Sequence, residues 1–212
     1  MSIFRTIAMF TYLFGYMIVH YGVLRKAERA QAAGDTETVR RLVEQHIPHW
    51  SRGILNVTGV RLSVEGLDNI PKEGPCVFVA NHRSYYDIPL LLASLDKPYG
   101  ILAKEELAKI PLLSRWMKLL GCVFVQRNDV RASVRALNDA TAIVESGRSF
   151  VIFPVVPVAI SGARGLFEAH GNRTTPGTVR IRVLPPIQTA GMSRAEQKEL
   201  PAAVRQTILA QL

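Results

Sequence analysis

The chain has 212 residues, of which 48% are hydrophobic, and it carries a formal net charge of +9. This length allows one domain with a substantial buried core and gives no reason to predict two large domains. The mean hydropathy of +0.14 is too low for a chain that is mostly transmembrane. The positive charge predicts an anionic partner, which could be a phospholipid headgroup, a phosphorylated small molecule or nucleic acid.

The first predicted element is an N-terminal membrane-associated helix. Residues 7–24 contain no formally charged side chain apart from His20, and a stretch of this length is at the lower limit for crossing a bilayer core. Tyrosines within the stretch and arginines and lysines beside it are typical of anchoring at the membrane interface. Whether this helix spans the bilayer or lies in the interface stays open.

A cleaved secretory signal is the alternative for this segment, because Ala30-Gln31-Ala32 has a small-x-small pattern. Residues 25–29 are highly charged and separate the apolar stretch from that site, so we predict that the segment is retained. More positive charge follows the apolar stretch than precedes it. This asymmetry favours a cytoplasmic location for the rest of the chain, at the inner face of the cytoplasmic membrane.

The next elements predict an α/β fold. Residues 35–54 have capping residues followed by apolar side chains at helical spacing, which indicates an amphipathic helix. Strand-like runs and helical stretches then alternate, which is typical of a largely parallel sheet flanked by helices. The runs are VRLSVEG, CVFVAN, a helix over 86–95, YGILAK, a helical 104–120 region broken by Pro111, and GCVFVQR. We therefore predict membrane-anchoring helices over residues 1–55 and an α/β domain over 56–212.

The second half of the chain continues this pattern. An amphipathic helix is predicted over 129–145, followed by the strand FVIFP at 150–154 and a final helix over 193–212 that Pro201 interrupts. Cys76 and Cys122 each lie in an apolar run, so we predict two buried free thiols in a reducing compartment. Two separated cysteines without clustered histidines provide no metal-ligand spacing, and no metal site is predicted.

The residues that indicate chemistry are at 80–89, in the sequence ANHRSYYDIP directly after the strand CVFVA. Ligands of open α/β sheets bind beyond the carboxyl ends of the strands, where these side chains are expected. A histidine can take a proton from a hydroxyl near neutral pH, and a carboxylate nearby can fix its tautomer and stabilise the imidazolium. His82 and Asp87 are the predicted pair. The alternative is that they only cap a helix and complete a loop.

This stretch resembles the Asn-His-x4-Asp signature of the glycerolipid acyltransferases, a family that includes 1-acylglycerol-3-phosphate acyltransferase. The resemblance runs from about Arg61 to Pro154 and resumes over residues 158–162. It implies a glycerol-3-phosphate acyltransferase-like fold, with His82 as the general base and Asp87 as its orienting partner. It implies substrate-binding residues at Asn81, Arg83, Ser84, Lys104 and Arg127, the last as a ligand of the acceptor's phosphate.

One block of the family pattern is missing. After FVIFP the family has Glu-Gly-Thr-Arg-Ser or a similar sequence, then a loop and a helix, then a Val-Pro-Val strand. Here Pro154 is followed at once by VVPVAI. Neighbouring parallel strands need a crossover of about a dozen residues or more, and none separates these runs. We therefore predict that a strand or crossover is absent near 154–155 and that the chain as written is poorly active or unstable.

The function implied by the resemblance is transfer of a fatty acyl group from acyl-CoA or acyl-carrier protein to the sn-2 hydroxyl of 1-acylglycerol 3-phosphate. The product is phosphatidic acid, and neither a metal nor a prosthetic group is required. A variant would acylate glycerol 3-phosphate or another lysolipid, and a degenerate member would bind anionic membrane without turnover. Nucleic acid is not a predicted partner, because the basic residues form no recognised module.

Overall fold

The computed structural model describes residues 2–73, 76–95, 100–125, 155–189 and 191–212. Within them the helices are α1 (Ser2–Val19), α2 (Tyr21–Ala32), α3 (Thr36–Thr58), α4 (Asp87–Ser94), α5 (Leu113–Leu120) and α6 (Arg194–Leu209). The strands are β1 (Val60–Glu65), β2 (Val77–Ala80), β3 (Leu102–Lys104), β4 (Val123–Val125), β5 (Val155–Ser161) and β6 (Gly177–Val183). The helix predicted over 129–145 and the strand predicted over 150–154 lie outside the described residues.

The strands form a mixed sheet that is mostly parallel. Its order is β1-β6-β5-β2, with β1–β6 and β2–β5 parallel and β5–β6 antiparallel. A second sheet consists of the parallel pair β3–β4. The predicted α/β class with a largely parallel sheet flanked by helices is confirmed. Within the described ranges, β2 is an edge strand of the four-stranded sheet.

Each face of β5 is covered by different helices. Val156, Val158 and Ile160 alternate along the strand and join the main hydrophobic core, which includes residues of α1, α3 and α4. Ala159 points to the other face and packs with Val204 and Ile208 of α6. The strand is therefore covered on both sides, as its almost uninterrupted apolar sequence predicts.

The N-terminal segment differs from the prediction of one helix over residues 7–24. The structure has two helices, α1 and α2, bent by 55° where they meet at His20. The backbone of His20 has φ −92° and ψ 20°, outside the usual helical range, which turns the chain at this residue. Among the described helices none is long and apolar enough to cross a membrane alone. Taken together, α1 and α2 meet the criteria of length and composition as a bent pair.

Two further helix predictions are resolved by the structure. The region over 104–120 contains a 3-10 helix, Glu105–Lys109, followed by α5 after Pro111, so the predicted break is confirmed. The predicted interruption at Pro201 is wrong, because α6 runs through it from Arg194 to Leu209. A capping box between Ser193 and Glu196 starts α6, and packing of its apolar side against β5 helps to keep the helix continuous.

Both cysteines are buried thiols that form no disulfide among the described residues, as predicted. Burial raises the pKa of the Cys122 thiol to about 11. At neutral pH this thiol is protonated and therefore a poor nucleophile.

Candidate active site

The loop that joins β2 to α4 begins with a side chain that extends the sheet. The Asn81 amide donates from Nδ2 to the Ile160 carbonyl at 2.9 Å and accepts from the Ile160 N–H through Oδ1 at 2.8 Å. These two bonds continue the pairing of β2 with β5 beyond its last register pair, Ala80 with Val158. Asn81 therefore fixes the backbone directly before His82. The polar atoms of this predicted substrate ligand are already engaged within the protein.

Asp87 organises the rest of the loop. Its Oδ2 accepts the backbone N–H of Arg83 at 2.7 Å and that of Ser84 at 2.8 Å, and it lies 3.0 Å from Nδ1 of His82. The Asp87 side chain is 3% exposed, whereas that of His82 is 55% exposed. One carboxylate oxygen thus closes the loop from inside and holds the imidazole at the surface.

This arrangement selects the chemistry of the imidazole. An ionised carboxylate only accepts hydrogen bonds, so Nδ1 of His82 is the donor to Asp87. In the neutral ring Nε2 is then unprotonated and available as a base. When Nε2 takes a proton, the Asp87 carboxylate stabilises the imidazolium that forms. The structure therefore brings together the two residues predicted to act as base and orienting partner.

The other predicted residues of the loop have different environments. Ser84 is 4% exposed, and its Oγ accepts the N–H of Tyr86 at 3.1 Å. This hydroxyl therefore stabilises the turn that leads into α4. Arg83 is exposed, and its backbone N–H donates to Asp87. Of these two side chains, only the Arg83 guanidinium is accessible to a bound anion.

Lys104 makes no contact with the His82–Asp87 pair among the described residues. The Lys104 ammonium pairs with the Glu106 carboxylate at 2.8 Å at the end of β3 in the second sheet. Hydrogen bonding from Lys104 lowers the pKa of Glu106. Arg127 lies outside the described residues. Within the described ranges, no group of three or more His, Cys, Asp and Glu side chains is placed to hold a metal ion.

Tyr86 connects the loop to α1 and is a residue that sequence reasoning missed. Its side chain is 2% exposed, and its hydroxyl donates to the Met9 sulfur at 3.1 Å and contacts the Thr174 hydroxyl at 3.3 Å. The backbone N–H of Thr174 in turn donates to the hydroxyl of Thr6 at 2.9 Å. Burial raises the pKa of Tyr86. The N-terminal helix therefore contacts the polypeptide segment that carries His82 and Asp87.

A second missed residue is Glu168, in the 3-10 helix Glu168–His170 that lies between β5 and β6. Its Oε1 accepts the backbone N–H of Tyr85 at 2.8 Å, 83 residues earlier in the chain. The neighbouring Phe167 ring lies 6.3 Å from the ring of Tyr85 and 6.3 Å from that of Tyr86, measured between centroids. No local sequence pattern marks Glu168, because its partner is brought to it only by the fold.

An apolar groove of about 480 Å³ opens beside the loop. It lies between α6 and the neighbouring strands β2 and β5, and reaches Asn81 at the end of β2. Leu200, Val204, Ile208 and Leu209 line its α6 side, together with the charged Arg205. The described surface near this loop thus offers an apolar groove as well as the polar pair.

Comparison with known proteins gives a consistent result. A sequence model described as Acyltransferase matches residues 61–156, which include the whole loop. A 1-acyl-sn-glycerol-3-phosphate acyltransferase of Borreliella burgdorferi is 25% identical over 183 residues, covering 74% of this chain and 73% of that protein. A chloroplastic 1-acyl-sn-glycerol-3-phosphate acyltransferase of Brassica napus is 32% identical over 126 residues, covering 59% of this chain but 36% of the longer plant protein.

One solved structure matches almost the entire chain. It is the crystal structure of the 1-acyl-sn-glycerophosphate (LPA) acyltransferase PlsC from Thermotoga maritima. The two chains superpose with a TM-score of 0.76 at 28% sequence identity, covering 98% of this chain and 95% of the other. The likeness therefore includes the N-terminal helices as well as the sheet.

Proposed function

Because the chain belongs to the glycerolipid acyltransferase family, we propose that it transfers a fatty acyl group from a thioester to the sn-2 hydroxyl of 1-acylglycerol 3-phosphate, giving phosphatidic acid. The observation that supports this most strongly is the surface-exposed imidazole of His82, held at 3.0 Å by the buried carboxylate of Asp87. That pair can activate a hydroxyl without a protein nucleophile or a bound metal. The donor is acyl-CoA or acyl-carrier protein, both of which present the same thioester.

The proposed reaction moves one proton and exchanges one bond. His82 Nε2 takes the proton of the sn-2 hydroxyl while the hydroxyl oxygen attacks the thioester carbonyl carbon. The tetrahedral intermediate collapses as its C–S bond breaks, and the imidazolium returns the proton to the departing thiolate. Asp87 stays ionised throughout and stabilises the imidazolium. The products are the sn-2 ester and a free thiol, and His82 ends in its starting protonation state.

The acceptor's phosphate is assigned to arginine side chains. Arg83 follows His82 directly in sequence and is exposed, so we assign it the phosphate that lies two carbons from the attacking hydroxyl. A guanidinium binds two phosphate oxygens at once, which favours it over a lysine for this task. The family resemblance adds Arg127 as a second ligand. Together they would favour a phosphorylated lysolipid over an uncharged one.

We further propose that the enzyme sits on an anionic phospholipid membrane through α1. Large apolar side chains of α1 are exposed along one helical stripe, which we call the α1 apolar face and which comprises Ile3, Ile7, Phe10, Phe14 and Ile18. Exposed basic residues follow at Arg25, Lys26 and Arg29. A lipid surface accommodates both features, because acyl chains bury the apolar face and anionic headgroups attract the basic residues. The charge asymmetry favours the cytoplasmic side of the inner membrane.

Substituting two residues of the α1 apolar face, Ile7→Glu with Phe14→Glu, should lower vesicle binding by more than about tenfold, because each places a charge where an exposed apolar side chain would enter the lipid. Flotation with phosphatidylcholine vesicles containing phosphatidylglycerol measures the binding. Leu212→Glu changes a side chain that is 50% exposed outside this face and serves as the control. Equal binding by the double variant and the control would show that the membrane contact lies elsewhere.

The missing block is expected to limit turnover. In the described part of the chain β2 is an edge of the four-stranded sheet and β3–β4 form a separate sheet, and Pro154 is followed in sequence directly by β5. The glutamate, glycine and arginine of the family's block would have helped to build the acceptor site. We therefore expect a version with that block restored between Pro154 and Val155 to release thiol from acyl-CoA at least about tenfold faster than the present chain.

A thiol-release assay with lysophosphatidate tests the proposed acyl transfer and the predicted defect of the missing block. It compares the present chain, the restored chain, and the restored chain carrying His82→Ala, each with acyl-CoA and with acyl-carrier protein as donor. Phosphatidic acid formation that depends on His82 supports the acyltransferase assignment. Activity of the present chain equal to that of the restored chain would refute the predicted defect. Absence of turnover in both, with vesicle binding intact, would instead indicate a non-catalytic lipid-binding protein.

A further inference from the structure

The segment between β5 and β6 contacts the loop that carries His82 and Asp87. It begins at Gly162, whose φ of +91° and contact with the Thr178 carbonyl exclude a side chain, since a Cβ there would lie 2.6 Å from that oxygen. Its end is fixed where the Thr175 N–H donates to the Leu166 carbonyl at 2.8 Å. Because both ends of the segment are fixed, the position of Glu168 within it is well defined.

Glu168 supplies a charged acceptor to a backbone group that has no partner within its own loop among the described residues. The Tyr85 side chain is 79% exposed, so this part of the loop projects towards solvent and gains little from burial. The 2.8 Å bond from the Tyr85 N–H to Glu168 Oε1 is a charge-assisted hydrogen bond, which is stronger than a bond to a neutral acceptor. The other carboxylate oxygen, Oε2, is buried and has no hydrogen-bond partner among the described residues.

Tyr85 lies within the turn that brings the reactive pair together. Tyr85 stands between the backbone N–H groups of Arg83 and Ser84, which bind Asp87, and Asp87 itself at the start of α4. A shift of Tyr85 would therefore alter the turn that aligns Asp87 Oδ2 with His82 Nδ1. Misplacement of reacting groups by about 1 Å can cost on the order of a hundredfold in rate.

We propose that Glu168 is a positioning residue for acyl transfer, holding the His82–Asp87 loop in its reactive conformation through the Tyr85 backbone. This inference rests on the proposed function, and it assigns Glu168 no contact with substrate. Positioning requires an acceptor oxygen at this point, and a glutamine supplies one, so we expect glutamine to replace glutamate with only the small loss that a neutral acceptor brings. An aspartate cannot, because its side chain is one methylene shorter and does not span the 2.8 Å contact from the same backbone position.

The experiment compares Glu168→Ala, Glu168→Asp and Glu168→Gln in the full chain in detergent micelles. Glu199→Ala, at an exposed glutamate of α6, is the control. With lysophosphatidate and acyl-CoA, the alanine and aspartate variants should lose about tenfold in kcat with KM within about twofold, because positioning acts on the reacting atoms and not on substrate binding. Glu168→Gln should stay within about threefold of the parent.

Amide hydrogen exchange measured by NMR tests whether Glu168 holds the loop, and it needs no enzymatic turnover. In Glu168→Ala the Tyr85 amide should exchange faster, and so should the amides of Arg83 and Ser84 that donate to Asp87. Should the alanine variant not fold, Glu168→Asp gives the same comparison. Parent-like kcat together with parent-like exchange at Arg83 and Ser84 would overturn the inference. A parent protein that never acylates a lysolipid would refute the proposed function, and the exchange data would still decide whether Glu168 holds the loop.

Discussion

Replacement of His82 by alanine should remove acyl transfer and leave the protein folded. Loss of a general base lowers rates by about 10²- to 10⁴-fold, and we expect a loss in kcat within that range. The His82 side chain is 55% exposed, and Asp87 keeps its bonds from the Arg83 and Ser84 amides without it. The free energy of unfolding should therefore change by less than about 1 kcal/mol.

The measurements are steady-state thiol release, in the most active form of the chain, and chemical denaturation. His49→Ala is the matched control, because His49 is an exposed histidine of α3 away from the loop. We expect that control to keep the parent's kcat. A His82→Ala protein that transfers acyl groups at the parent's rate would show that another group takes the proton, and the proposed mechanism would then be wrong.

Replacement of Asp87 by alanine should damage both activity and stability. Asp87 is buried, and its loss leaves the backbone N–H groups of Arg83 and Ser84 without their acceptor. An unsatisfied buried donor costs about 1–3 kcal/mol, so we expect the free energy of unfolding to fall by about 2–4 kcal/mol. The imidazole would also lose its orienting partner, which should lower kcat by at least about 10³-fold.

The isosteric Asp87→Asn separates these two effects. Its amide oxygen can still accept the two backbone N–H groups, so most of the stability should be retained, measured as the free energy of unfolding in urea. The amide is neutral and cannot stabilise an imidazolium, so kcat should remain as low as in the alanine variant. High activity in Asp87→Asn would mean that the charge of Asp87 is not needed. The pair would then be structural, as the helix-capping alternative supposes.

The loop and its strand were the most predictable part of the molecule. β2 is a short apolar run, α4 begins at Asp87, and the polar residues between them follow the carboxyl end of a strand. These are local features that spacing and composition encode directly. The proximity of His82 and Asp87 follows from the same short turn. The two residues are five positions apart, so their 3.0 Å contact is easier to predict than a contact between distant parts of the chain.

The features that sequence reasoning missed depend on contacts between distant parts of the chain. Glu168 meets Tyr85 across 83 positions, and Asn81 meets Ile160 across 79. Nothing near these residues in sequence signals the partner, so the bonds between the Asn81 amide and the Ile160 backbone could not be predicted. β6 was absent from the predicted elements, because Arg180 and Arg182 on its outer face make the run less hydrophobic than its neighbours.

The sharing of one core between the N-terminal helices and the sheet bears on how a soluble form of this enzyme could be made. Deletion of residues 1–55 would remove the Met9 sulfur that accepts the Tyr86 hydroxyl and would expose Leu92 and Trp116. Arg115 would also lose the Glu28 carboxylate, to which two of its nitrogens donate at 2.6 Å. The shortened fragment would therefore lose the α1 contacts that support the loop carrying His82 and Asp87. If α1 binds lipid as proposed, release from the membrane is better achieved by replacing the exposed apolar side chains of α1 with polar ones, because the buried contacts of this helix are then kept.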